Sequence, residues 1–188
     1  MKPIRINIYG GPGSGKSTVA AWLFGELKSL NIPCELAREY VKNWAYEKRK
    51  VDNWDQVYIM GKQILEEHRL IKAGVEVIIS DSPVALSCVY GRMYFKRNKK
   101  MIEGIDAIVQ GFLQECENVN VVLRRPESYE EKGRYESKKA AERIDREIHK
   151  IVRTLHGGDY RMFSCCDRSP ILSFAMSVIR WFAQEGRA

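Results

Sequence analysis

Short β-branched and apolar runs alternate along this chain with longer segments in which apolar residues return every three or four positions. The first run, Ile4 to Tyr9 (IRINIY), ends at glycines, as a buried opening strand should. Ala20, Leu23, Leu27 and Leu30 follow at helical spacing, which predicts a helix from about Lys16 to Leu30, stopped by Asn31 and Pro33. Cys34 to Ala37 (CELA) reads as a second strand, and REYVKNWAYEKRK after it as wholly or partly helical. Trp54, Val57, Gly61, Ile64, Leu65, His68 and Ile71 mark a longer helix reaching Gly74. Val75 to Ser80 (VEVIIS) is apolar enough to be a central strand.

Beyond that strand, Ser82 is placed to cap a helix with Pro83 at its first position. A helix from Val84 and another from about Ile102 to Glu117 lead to a strand at Val119 to Leu123. The segment Arg124 to Lys139, with Pro126, Gly133 and dense charge, breaks the pattern and reads as a mobile excursion. Ala141, Ile144, Ile148, Ile151 and Leu155 then line a helix, YRMFSCC is a fifth strand, and Ile171, Phe174, Ala175, Val178 and Phe182 line the last helix. Strands alternating with helices call for a parallel sheet covered on both faces. No linker, repeat or low-complexity tract interrupts the pattern, so residues 1–188 are read as one α/β domain.

Composition narrows the class. With 45% hydrophobic and 29% charged residues the chain reads as globular, and it holds no apolar run of about 18 residues. The N-terminus lacks the apolar stretch of a secretion signal, so a cytoplasmic location and no membrane partner are expected. The five cysteines form no C-x-x-C pair and have no histidines at metal spacing, which reads as reduced packing residues. The net charge of +7 favours polyanionic partners, nucleotides or nucleic acid. Arg92, Lys96, Arg97, Lys99 and Lys100 cluster beside Tyr90, Tyr94 and Phe95, a pattern that suits either a nucleic-acid strand or a solvated helix end.

The strongest motif is GGPGSGKST, in which Gly10, Gly15, Lys16 and Ser17 fit G-x-x-x-x-G-K-[ST] between a strand and a helix. Glycines let the backbone curl so that its N–H groups face phosphates at a helix N-terminus whose dipole favours anions. Gly11, Gly13, Ser14, Gly15, Lys16, Ser17 and Thr18 are the expected nucleotide cradle, with Lys16 on the β- and γ-phosphates of ATP and Ser17 on Mg²⁺. Ligands in such sheets sit beyond the carboxyl ends of the strands, where Glu39 and Asp81 stand. Either acid can take a proton from an attacking hydroxyl, and Asp81 is the expected second metal group. The excursion at about 124–143 is the expected lid, with Arg124 and Arg134 as candidate catalytic cations and Arg125 as a nucleotide contact; Arg143 also belongs to it.

YGGPGSGKST, AREYVKNW, GKQ at Gly61 to Gln63, IISDSPVALS and EEKGRYESKKAAERID occur in this order. Together, from about Ile4 to Asp167, they resemble the small P-loop kinase-like proteins related to the nicotinamide riboside kinase domain of bacterial NAD regulators, a group with many bacteriophage members. The resemblance implies a P-loop kinase fold with five parallel strands in the order 2-3-1-4-5, a lid after the fourth strand and a nucleoside-type acceptor near the ends of strands two and three. By position, Glu39 resembles the acid that deprotonates the acceptor, and Asp81 the acid of the third-strand motif. The resemblance also puts adenine between a lid arginine and the loop from Asp167 to Pro170.

Three functions are open at this stage. The first is an ATP- and Mg²⁺-dependent kinase acting on a hydroxyl of a nucleoside- or nucleotide-type acceptor. The second is a kinase acting on a hydroxymethylated pyrimidine base in phage DNA. The third is a P-loop ATPase that serves as a switch or motor without a small acceptor; the N-K-x-D guanine motif of a GTPase is missing after Asn98. The expected acceptor pocket lies among Glu39 to Trp44, the face of the Trp54 to Gln63 helix and Ser82 to Tyr94, with Tyr40, Trp44, Trp54, Tyr58 and Tyr90 able to stack on a base.

Overall fold

The computed structural model describes residues 2–126 and 138–185. Five strands, β1 (Ile4–Tyr9), β2 (Cys34–Ala37), β3 (Val77–Ser80), β4 (Glu117–Arg124) and β5 (Arg161–Ser164), form one sheet in the order β2-β3-β1-β4-β5. Every pairing is parallel, with Ile4 opposite both Val77 and Glu117, so the expected strand order and direction are observed. Seven helices connect and cover the strands: α1 (Lys16–Ser29), α2 (Lys42–Tyr46), α3 (Asp55–Lys72), α4 (Leu86–Phe95), α5 (Lys99–Leu113), α6 (Lys138–His156) and α7 (Ser169–Glu185). Among the described residues no helix is long and apolar enough to cross a membrane.

The alternation of β1 divides the core. Ile4, Ile6 and Ile8 point to the face covered by α1 and α7, where they meet Val19, Leu23, Leu27, Ile171 and Ala175. Tyr9 points to the other face, among Met60 of α3, residues of α4 and α5, and Ile144, Ile148, Ile151 and Val152 of α6. Arg5 and Asn7 share that second face and are also buried. Each has polar partners within the fold, because a wholly unpaired buried polar side chain is costly. The Asn7 Nδ2 donates to Asn118 Oδ1 at 3.1 Å and Asn120 Oδ1 at 3.0 Å. Arg5 lies 2.9 Å from Glu67 of α3, and its guanidinium sits over Phe112 at 4.4 Å from the ring centre.

Several boundaries differ from the sequence reading, each for a local reason. Val75 closes α3 instead of opening β3: its N–H donates to Leu70 O after Gly74 turns at φ 76. Ser82 does not cap α4, and Pro83 does not begin it. The Asp81 N–H bonds to Ala37 O at 3.1 Å, which extends the β2–β3 pairing past the strand end, and α4 starts only at Leu86, whose N–H bonds to Pro83 O. The fifth strand is shorter than YRMFSCC, and the helix expected at Ile102 begins three residues earlier, capped by Asn98 accepting from Met101 N–H. The segment 138–143 of the expected lid is the first part of α6; residues 127–137, including Arg134, lie outside the described residues.

Where α6 ends, Tyr9 Oη and His156 Nε2 are 3.0 Å apart at the edge of the core. Burial lowers the His156 pKa below its ordinary 6.5, opposed by the nearby Asp159 carboxylate, and burial raises that of Tyr9. A histidine whose folded pKa is depressed contributes stability above its unfolded value that is lost as pH falls through the folded one. Denaturant unfolding should therefore show stability declining as pH drops from about 6.5. Replacing His156 with Gln should flatten that acid limb, and an unchanged slope in His156→Gln would refute the assignment.

Candidate active site

The turn between β1 and α1 is wound tightly around glycines. Gly13 and Gly15 have φ of 79 and 87, a region that other residues enter only with strain. Among the described residues no side chain caps α1 at Gly15, which leaves the first amides of the helix beside the cavity that Gly15, Lys16, Ser17 and Thr18 line. The loop is braced from behind. Ser14 N–H donates to Gly11 O at 3.2 Å, and Gly11 N–H donates to Asp145 Oδ1 of α6 at 2.8 Å. Arg125 completes the brace, its Nε 2.7 Å from Asp145 Oδ2 and its Nη1 donating to Pro12 O. The side chain read in the sequence as a nucleotide contact thus also ties the end of β4 to the loop.

Lys16 folds back on the loop and donates to Gly11 O at 3.2 Å. The Ser17 hydroxyl accepts a hydrogen bond from Lys42 Nζ of α2 at 3.1 Å. Both cations converge on the mouth of the cavity. Lys42 was not singled out in the sequence, where it is one of several lysines with no pattern of its own; only the fold brings it to Ser17.

A cavity of about 720 Å³ opens from the loop. It is lined by Gly13, Gly15, Lys16, Ser17 and Thr18 of the loop and α1, by Glu39, Tyr40 and Lys42, by Gln56, Ile59 and Gln63 of α3, and by Leu86, Ser87, Tyr90 and Tyr94 of α4. This is where the acceptor pocket was expected, although its aromatic members differ. Tyr40 and Tyr90 line it, while Trp44 stacks on Tyr58 at 6.0 Å with Arg49 at 3.5 Å over its ring, and Trp54 packs edge-on against Phe95.

Asp81 does not line the cavity. It is 5% exposed at the end of β3, and among the described residues its buried Oδ1 has no hydrogen-bond partner. A buried carboxylate oxygen left in that state fits a cation or a water-mediated contact. Asp81 and Ser17 each offer oxygen, the donor type that Mg²⁺ takes. Arg124 is exposed at the end of β4, and Asp167 is exposed in the loop after β5. That loop adjoins the phosphate loop, since a Cβ on Gly15 would lie 3.0 Å from Cys165 Cβ.

One carboxylate that the sequence did not single out is linked to the chain neighbours of both acids. Glu67 of α3 is fully buried and accepts from Ser80 Oγ at 2.7 Å, next to Asp81. Gln63 Nε2 donates to Glu67 at 3.5 Å while Gln63 Oε1 accepts from the N–H of Tyr40, next to Glu39. Burial pushes the Glu67 carboxyl upward in pKa, against the opposing pull of Arg5, Ser80 and Gln63. In the sequence Glu67 sits in EEHR, a surface-like stretch of a helix, and nothing there marks it as buried.

Residues 5–162 match the sequence family described as an AAA domain. The chain belongs to this family. A uridine kinase of Alkaliphilus metalliredigens (strain QYMF) is 36% identical to this AAA-domain chain over 75 residues, which cover 38% of the chain and 36% of that protein. Among solved structures, NadR in complex with NR superimposes with a TM-score of 0.71 at 12% identity, over 93% of this chain and 51% of NadR. NadR with NAD and AMP-PNP gives 0.70 at 12% identity, over 93% of this chain and 49% of NadR. A thymidylate kinase from Ehrlichia chaffeensis gives 0.61 at 13% identity, over 87% and 88% of the two chains. These likenesses establish the P-loop kinase fold. The chain spans about a third of the uridine kinase and half of NadR.

The left-handed backbone at Gly15 gives a direct test of the cradle. Gly15→Ala should lose about 1–2 kcal/mol of stability, from φ strain and the Cys165 contact, read by denaturant unfolding. It should also weaken AMP-PNP binding at least about tenfold by calorimetry, because the first amides of α1 would shift. Unchanged nucleotide affinity would show that this loop does not hold phosphate.

Proposed function

We propose that this chain is an ATP- and Mg²⁺-dependent kinase that transfers the γ-phosphoryl group to a hydroxyl of a nucleoside- or nucleotide-type acceptor. The observation that carries the reading is the lining of one cavity, which joins Lys16 and Ser17 of the loop to Glu39 and to tyrosines and glutamines of other elements. A switch or motor ATPase needs the phosphate cradle and has no use for a cavity that extends to α3 and α4. The uridine kinase, NadR and thymidylate kinase likenesses support the same reaction class.

Phosphoryl transfer asks the protein mainly for position and charge. The α1 amides and Lys16 hold the β- and γ-phosphates, and Lys16 leaves Gly11 O to reach them. Ser17 and Asp81 are the residues that would hold Mg²⁺, which supplies charge neutralisation on the phosphate oxygens. Glu39 lines the cavity whereas Asp81 does not, which favours Glu39 as the base. Glu39 takes the proton of the acceptor hydroxyl. Its oxygen bonds to the γ-phosphorus, the bond from that phosphorus to the bridging oxygen breaks, and ADP leaves. Arg124 and Arg134 remain proposed lid cations for the transferring group, with Arg125 and Asp167 on the nucleotide side.

A second reading is supported by one surface feature. Lys96, Arg97, Lys99 and Lys100 are exposed just past the end of α4, the helix whose Leu86, Ser87, Tyr90 and Tyr94 line the cavity. That arrangement suits an acceptor base carried on a DNA strand, held by its phosphates outside and presented within. Arg92 is not part of it, because it forms a bidentate pair with Asp106 at 2.8 and 2.6 Å.

Incubation with γ-labelled ATP, Mg²⁺ and a panel of nucleosides, nucleotides and hydroxymethylated DNA should label one acceptor. Lys16→Ala should lower kcat by about 10²–10³ and Glu39→Gln by about 10²–10⁴. ATP turnover with no labelled acceptor would overturn the kinase reading. Label on DNA, with a salt-sensitive gel shift, would select the second reading over the first.

A further inference from the structure

Along α3, Gln56, Ile59 and Gln63 recur at intervals of three and four, and all three line the cavity. The two glutamines stand in different states. Gln63 is committed on both sides, accepting from Tyr40 N–H and donating to Glu67. Gln56 is only 7% exposed, yet among the described residues its carboxamide has no hydrogen-bond partner. Its own N–H is already bonded to Asn53 O, so the side chain is not spent on ending the helix. A carboxamide that lines a cavity and has no partner in the protein keeps its donor and its acceptor for whatever enters.

Position says what kind of ligand. Seven residues of helix separate Gln56 from Gln63, a rise of about 10 Å. Gln63 bonds to the N–H of Tyr40, next to Glu39, so Gln56 stands about two turns along α3 from that contact. The same cavity is lined by the apolar or aromatic side chains of Ile59, Leu86, Tyr90 and Tyr94. A carboxamide at the end of an aromatic slot pairs with an edge that offers a donor and an acceptor side by side.

Resting on the kinase reading, we propose that Gln56 selects the acceptor by pairing with such an edge. The edge is either the amide edge of a nucleobase or the carboxamide of a pyridine nucleoside. Gln56 acts in specificity and takes no part in the transfer. The slot then holds the planar group between the tyrosine side of α4 and Ile59, while the ribose hydroxyl reaches toward Glu39.

The test is equilibrium binding in the presence of AMP-PNP, with uridine, cytidine, thymidine, adenosine, nicotinamide riboside and a phenyl riboside that has no hydrogen-bonding edge. Wild type should bind one of the amide-bearing nucleosides and the phenyl analogue much more weakly. Gln56→Leu should weaken that nucleoside about 10- to 100-fold and leave the phenyl analogue unchanged. AMP-PNP affinity should be the same in both proteins, which reports an intact fold. Gln56→Glu keeps the shape but loses the donor, so it should shift preference from uridine toward cytidine. Tightest binding of nicotinamide riboside would assign the carboxamide, and of a pyrimidine or purine nucleoside the base edge. Equal affinities in wild type and Gln56→Leu, equal binding of the phenyl analogue, or no binding by any member of the panel would overturn the proposal. Nucleoside binding that depends on Gln56 without any labelled product would overturn the kinase reading and leave this one standing.

Discussion

A buried ion pair ties α3, which lines the cavity, to the sheet. Arg5 of β1 and Glu67 of α3 face each other at 2.9 Å, 1% and 0% exposed, in an interior otherwise packed with Ile, Val and Leu. Such a pair gains little over apolar packing, because desolvation offsets the attraction, but removing one partner strands the other charge. Its value here is positional. Through Ser80 and Gln63 the Glu67 carboxylate is linked to the residues beside Asp81 and Glu39. The same anchor sets the pose of α3, and so of Gln56.

The phosphate side is held by different means. Its loop is backbone curled at Gly13 and Gly15, and its brace is Asp145, shared between Gly11 N–H and Arg125. Because Asp145 belongs to α6 and Arg125 follows β4, the brace draws on the elements on either side of residues 127–137. On the proposed function, Lys16 and Lys42 are held by protein oxygens, Gly11 O and Ser17 Oγ, and give up those bonds when nucleotide arrives. The site thus consists of a fixed frame and a few cations that change partners.

The sheet was legible in the sequence because its signals are local. Isoleucine alternation in IRINIY, the apolar VEVIIS and the G-x-x-x-x-G-K-[ST] turn each identify themselves within a few residues, and the resemblance supplied the strand order. The boundaries at Val75 and Ser82 were not legible, since each depends on a hydrogen bond to a residue elsewhere: Leu70 O for one, Ala37 O for the other. Arg5 and Glu67 lie 62 positions apart and look like ordinary surface charges until β1 and α3 are packed together. Gln56 carries no motif. Its lack of a partner is a property of the folded cavity, and only the fold displays it.

The anchor is tested most directly by measuring unfolding free energies of Arg5→Met, Glu67→Leu and the double variant by denaturant titration. Each single change should cost about 3–5 kcal/mol, and the double variant should be more stable than either single one. Single losses under about 1 kcal/mol, or losses that simply add in the double variant, would contradict the claim that this pair holds the site together.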